Sequence, residues 1–363
     1  MSNVTKDLSA EVGAKLAQGL NCAVPFNESD RVLLGHGSGG KLSAALVRDR
    51  FLPRFDGAEL AQLGDAAVVQ VGAGSIAIST DSFVVNPLEF PGGNIGTLAV
   101  NGTVNDVAMM GARPLWLTVG FILEEGLPLS VLDRVTAAMA EAARIAGVAI
   151  VAGDTKVVER GKADGMFINT TGVGAVDEKF RPGPERARAG DAVLITGDIG
   201  VHGITIMAAR EGIAFDADLV SDSAALTPLV DALRRSVGSE IRALRDPTRG
   251  GVASTLNEIA AASKVGVVLD ETTLPMPREV AAACEMLGLD PLYVANEGIC
   301  VAIVPDELSE AALASLRAHP IGRNARRIGR VVLEHPGMVV MRTGIGGTRV
   351  VDMLPGDQLP RIC

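Results

Sequence analysis

The chain of 363 residues exceeds the length at which a single hydrophobic core keeps growing, so two domains are expected. Hydrophobic residues make up 48% but aromatics only 3%, with one Trp (Trp116) and one Tyr (Tyr293), which predicts a core of Ala, Val, Leu and Ile and excludes stacking platforms for single-stranded nucleic acid. Thirty-three Lys and Arg against 43 Asp and Glu give a formal charge of −10, which argues against a nucleic-acid partner, and no apolar run approaches the roughly 20 residues that span a bilayer.

Residues 1–31 read as an N-terminal extension with one short predicted helix at 8–20; Asp7 and Glu11 leave no apolar signal core. Cysteines at 22, 284, 300 and 363 show neither CxxC pairing nor zinc spacing, which predicts a reducing, cytoplasmic setting. A first domain, 32–176, follows, with strands predicted at 75–85, 115–123, 148–151 and 166–173. Between them lie a helix over 94–110, stopped by Gly111, and an Ala-rich helix that Ser130 and Asp133 open as a capping box and Gly147 ends. Leu132, Val135, Met139, Ala142 and Ala146 share one face of that second helix.

The polar, Pro- and Gly-containing stretch 177–190 resets the pattern and marks the domain boundary. A second α/β domain, 177–343, is predicted with strands at 192–196, 265–269 and 299–304 and helices at 204–209, 226–237 and 250–262. Residues 344–363, with Gly344, Gly346, Gly347, Pro355, Gly356 and Pro360, read as a mobile tail that ends on the thiol of Cys363. Such a thiol suits a carried group; the plain alternative is the frayed end of an ordinary chain.

Four aspartates fall where apolar runs meet loops: Asp65, Asp81, Asp106 and Asp154. Taken singly, each serves as well as a turn or cap residue. Taken together, carboxylates that converge on one cleft are what Mg²⁺ bridging a nucleotide's phosphates requires. The run Gly37-Ser38-Gly39-Gly40-Lys41, after His36, offers backbone N–H groups and an ammonium to a phosphate, although it equally reads as a flexible loop. It lacks Walker A spacing, and no GxGxxG follows a strand, so P-loop and Rossmann readings lose ground. The run Asp246-Pro247-Thr248-Arg249-Gly250-Gly251 opens a helix whose free N–H groups could meet an anion, and Asn296-Glu297-Gly298 sets a carboxylate before an apolar strand.

In this order, HGSGGK, STDSFVVNP, GTVNDVAMMGA, AGDTKVV, DPTRGG, NEG and the terminal PRIC resemble the hydrogenase maturation family HypE, within the aminoimidazole ribonucleotide synthetase-like (PurM-like) superfamily. The resemblance covers about 32–363, and PRIC is its most specific motif. It implies a two-domain α/β (α+β) PurM-like fold whose N-terminal domain joins a barrel-like sheet across a homodimer. It also implies an ATP-dependent carbamoyl dehydratase: HypF loads a carbamoyl group on Cys363, ATP converts it to an S-cyanate, and the cyano group passes to iron on HypC–HypD for the Fe(CN)₂CO centre of nickel–iron hydrogenase. Glu297 and Lys156 are then the candidate bases beside Cys363. Mg²⁺ falls to the four aspartates, and nucleotide contacts fall to Gly37–Lys41 together with Asn105, Thr155 and Asp246. Two other readings stay open: a kinase or synthetase acting on a small molecule, which would survive loss of the tail, and a thiol carrier that catalyses no dehydration.

Overall fold

The structure, a computed structural model, describes residues 31–55, 58–213, 219–354 and 356; the helix expected at 8–20 and the terminal PRIC lie outside the described residues. Its first half runs α1 (Lys41–Leu46), β1 (Ala67–Val71), β2 (Gly74–Phe83), β3 (Glu89–Phe90), β4 (Gly93–Asn94), α2 (Ile95–Met109), β5 (Ala112–Glu124), α3 (Leu129–Ala146), β6 (Ala149–Val158) and β7 (Met166–Val176). Five of these strands form one sheet in the order β1-β2-β7-β5-β6. The β5–β6 pair is parallel, because α3 carries the chain back across the sheet between them; the other pairs are antiparallel.

Helix α2 starts where Asn94 accepts hydrogen bonds from Gly96 N (2.9 Å) and Thr97 N (3.1 Å), while Thr97 Oγ1 bonds back to Asn94 N. It is buried on nearly every side, between the sheet, α3 and the second domain. Small residues make this possible: a Cβ on Gly96 would stand 2.5 Å from Val135 O of α3. Helix α3 buries Val135, Met139, Ala142 and Ala143, and Gly147 ends it at φ 71°, as the spacing predicts. Its start differs: Pro128 occupies the N-cap and no side chain caps the helix, so the Ser130–Asp133 box does not form.

The second half runs β8 (Ala192–Ile195), α4 (Val201–Glu211), α5 (Thr227–Ser236), β9 (Ala243–Arg245), α6 (Gly251–Ser263), β10 (Gly266–Asp270), α7 (Arg278–Leu287), β11 (Val301–Val304), α8 (Ser309–Arg317), β12 (Arg326–Val332), β13 (Val339–Arg342) and β14 (Thr348–Val351). Seven strands form a mixed sheet in the order β14-β13-β10-β12-β8-β11-β9. Helix α6 packs on one face around Leu256 and Ile259, and α5 and α8 pack on the other around Leu229, Leu233 and Leu316. Both faces are covered, so β8 and β11 read as continuous apolar runs, buried along their whole length.

The segment 177–190 is packed: Phe180 is 1% exposed, with the Arg234 guanidinium 4.9 Å from its ring centroid. One expectation changes here. The mobile tail cannot begin at 344, because β14 pairs with β13 and drives Val351 into the core. Two β-branched valines in a short alternating run favour a strand over a tether.

Candidate functional site

A cleft of about 390 Å³ opens between the two sheets. Its floor comes from elements whose periodicity aims carboxylates the same way. On β2, Ser79 and Asp81 stand two residues apart and so share a face; on α2, Gly102 and Asp106 stand four apart and do the same. The loop before β1 adds Asp65, and the end of β9 adds Arg245 and Asp246. The structure thus brings together Asp65, Asp81, Asp106 and Asp246, with Gly37 and Gly39 of the glycine run on the rim.

Five carboxylates of the cleft, with Glu258 of α6, face only two guanidinium groups, Arg245 and Arg249. Arg245 Nε holds Asp65 Oδ1 at 3.0 Å and its Nη2 holds Glu258 Oε2 at 2.7 Å; Arg249 lies 4.0 Å from Asp81. Burial works against the charge of Arg245, and Asp65 and Glu258 more than offset it. Burial also pushes Asp65 up to about 6 against the pull of Arg245. Asp246 is pushed up to about 8, by burial and then by the Asp65 charge. Asp106 stands well above the usual carboxylate range through burial and then the charges of Asp246, Asp65 and Asp81, although Ser79 Oγ donates to its Oδ2 at 2.6 Å. Burial likewise raises Asp81. Carboxyl groups held above their ordinary pKa in one place mark a deficit of positive charge.

Glu297 lies behind this floor, 3% exposed. Its backbone N and that of Gly298 donate to the Asp222 carboxylate at 3.1 to 3.3 Å, and Asn296 Nδ2 donates to Pro247 O at 2.9 Å, which fixes the segment against the loop after Asp246. Burial, then the charges of Asp246, Asp222 and Asp81, raise Glu297 well above the usual range. A carboxyl so placed holds its proton more tightly than an exposed one.

The remaining predicted residues do not line the cleft of their own chain. Asp154, Thr155 and Lys156 sit on β6, the edge strand, whose residues are almost all exposed; Lys156 Nζ spends its charge on Asp154 at 2.6 Å. The expected pairing of Lys156 with Glu297 is therefore absent within one chain. Asn105 faces away from Asp106, since adjacent residues of a helix do not share a face. Its amide donates to Ala224 O (3.0 Å) and accepts from Leu226 N (2.8 Å), which ties α2 to the second domain. Ser38 and Gly40 miss the cleft, and Lys41 turns its ammonium to Asp352 while its backbone N donates to Leu354 O at 2.8 Å. A Cβ on Gly40 would meet Leu354 O at 2.4 Å, so the glycine lets the chain after β14 lie against this loop. Cys363 lies outside the described residues. Sequence reasoning missed Ser79, Asp222, Arg245 and Glu258, whose roles depend on partners distant in the chain.

Comparison with known proteins fits this geometry. The AIR synthase related protein family matches with its N-terminal domain over residues 63–176 and its C-terminal domain over residues 188–341. "Carbamoyl dehydratase HypE" of Cupriavidus necator is 54% identical over 341 residues, 93% of this chain and 97% of that protein. A crystal structure of HypE in complex with ATP superimposes with a TM-score of 0.78 at 53% identity, over 92% of this chain and 100% of that one. A HypE–HypF complex gives a TM-score of 0.81 at 46% identity, over 85% and 100% respectively.

Proposed function

The chain belongs to the HypE family of carbamoyl dehydratases, built on AIR synthase related domains, and from that membership we propose how its own residues act in hydrogenase maturation. The reaction is an ATP-dependent dehydration. HypF loads a carbamoyl group on the Cys363 thiol; the carboxamide oxygen takes the γ-phosphoryl group of ATP with release of ADP. Loss of the nitrogen protons and departure of phosphate then leave S–C≡N, a thiocyanate, on the sulfur. The cyano group passes onward to iron on HypC–HypD.

The observation that carries the nucleotide reading is the surplus of buried carboxylates in the cleft. Hard oxygen donors suit Mg²⁺, and Asp65, Asp81, Asp106 and Asp246 are the residues that would hold it. Among the described residues no group of three or more His, Cys, Asp or Glu side chains stands close enough to hold a metal ion by itself. An ion held by these carboxylates would supply positive charge to the phosphoryl group in transfer. Gly37 offers its backbone at the rim to phosphate oxygens, while Gly39 N donates to Ser43 Oγ at 2.9 Å, and Glu297, fixed by Asp222, receives the proton that nitrogen gives up.

The homodimer reading rests on β6. An edge strand of ten residues with Ile150, Val151 and Val157 exposed, beside Trp116 and Ile122 on the open sheet face, invites a second copy. Such a copy would bring Asp154, Thr155 and Lys156 to the joint between protomers, where Lys156 can serve the partner's cleft. Among the described residues no helix is long and apolar enough to cross a membrane, and we place the protein in the cytoplasm beside its partners.

The test is mass spectrometry of the C-terminal peptide after incubation with HypF, carbamoyl phosphate and Mg·ATP, with ATP withheld in a second stage as control. A carbamoyl adduct on Cys363 that loses one water only when ATP is restored supports the dehydratase; an adduct that never loses water leaves a carrier. Mixing Cys363→Ala with Lys156→Ala protein tests the shared site, since recovery of activity requires each protomer to complete the other.

A further inference from the structure

Helix α6, 13 residues long, begins at the cleft without a cap. Gly250 occupies its N-cap at φ 75° and offers no side chain to the first-turn N–H groups. In that turn Ser254 is 2% exposed, yet its Oγ faces the cleft and has no hydrogen-bond partner among the described residues. A buried hydroxyl without a partner is destabilising, so its place needs a reason. Gly250 makes room for it: a Cβ there would stand 2.1 Å from Ser254 Oγ and 3.1 Å from Gly39 O. Hydroxyl, helix start and glycine loop thus form one corner of the cleft, a few residues past Asp246.

That corner is built for an anion. The helix start carries partial positive charge; Gly251 N donates to Thr248 O at 3.0 Å, no side chain caps the N–H groups of Val252 and Ala253, and the Ser254 hydroxyl adds a donor. The carboxylates of Asp81 and Asp246 stand beside it, so an anion fits only when a cation bridges the two, which is the situation of a terminal phosphate of Mg·ATP. Glu297, whose charged neighbours include Asp246 and Asp81, stands at this end of the cleft, where the phosphorus that reacts must lie. We propose that Ser254 Oγ and the uncapped first turn of α6 receive the γ-phosphoryl group of Mg·ATP, the hydroxyl donating to a non-bridging oxygen. This assignment rests on the nucleotide reading above and adds where the transferred group is held.

The test compares Ser254→Ala with the unaltered full-length protein by calorimetric titration with Mg·ATP and Mg·ADP separately. Loss of one hydrogen bond to a charged oxygen should weaken Mg·ATP by about tenfold and leave Mg·ADP within about twofold, since ADP lacks the group concerned. Ser254→Thr keeps the hydroxyl and should keep the discrimination; Ser254→Cys, a poor donor of similar size, should behave as Ala and carries the test if Ala perturbs the fold. Equal weakening of both nucleotides, or of neither, overturns the assignment. Failure of the unaltered protein to bind either nucleotide sinks the nucleotide reading itself, and the assignment with it.

Discussion

Two Gly-Asp pairs read alike in the sequence and stand in opposite surroundings. Gly64-Asp65 enters the cleft, where the aspartate side chain is 9% exposed and held by Arg245; Gly153-Asp154 runs along β6, where it is 71% exposed and held by Lys156. Burial drives Asp65 up to about 6, whereas the hydrogen bond from Lys156 holds Asp154 below its ordinary value. The motif sets the backbone; the partner delivered from elsewhere sets the chemistry. Burial sets the state of the interior acid, and an exposed ion pair sets that of the edge residue.

The sharpest way to break that contrast is at the two candidate bases. Glu297→Gln should lower dehydration turnover about 10³-fold, with Mg·ATP affinity retained, and no mixing with another variant should restore that protomer's own cleft; single-turnover loss of water from the carbamoylated peptide reports it. Next, Asp106→Asn and Asp154→Asn should differ in titrations with Mg·ATP, the first losing about 100-fold, and the second unchanged in protein diluted to monomer. Equal losses in monomer would erase the distinction. Ser79→Ala, which removes the hydrogen bond that orients Asp106, should cost about tenfold in the same titration.

The smallest effect concerns pH. Asp246 titrates at about 8 in the fold against an ordinary 3.8, so its contribution to stability is full below 3.8 and is lost as pH rises through about 8. The melting temperature of the nucleotide-free protein should therefore fall between about pH 4 and 8, and Asp246→Asn should flatten that fall. A flat profile in the unaltered protein would contradict the buried charge surplus.

Much of the fold was legible because α3 and β2 carry their own periodicity and α2 its end signals, Asn94 before it and Gly111 after it. Strands β9, β12, β13 and β14 were not, since short runs that include Arg245, Arg327 or Arg349 look polar until their neighbours are known. The same holds for the site. Four of its acids could be named from turns and glycines, but nothing near Asp65 announces that Arg245 will close on it, and nothing in an Ala-rich helix marks Ser254 as unusual. Asn105, named beside Asp106 in the sequence, turns to Ala224 and Leu226 instead, because neighbours on a helix do not share a face.

The lodging of Leu354 against Gly40 and Lys41 sets a length scale. Nine residues separate Leu354 from Cys363. Fully extended, such a chain spans about 30 Å. The last described residues thus lie beside the cleft, and a sphere of that radius about Leu354 bounds where the sulfur can be. An enzyme docked outside the same sphere is beyond reach, so the arm's length selects which surfaces of its partners can ever exchange cargo with it.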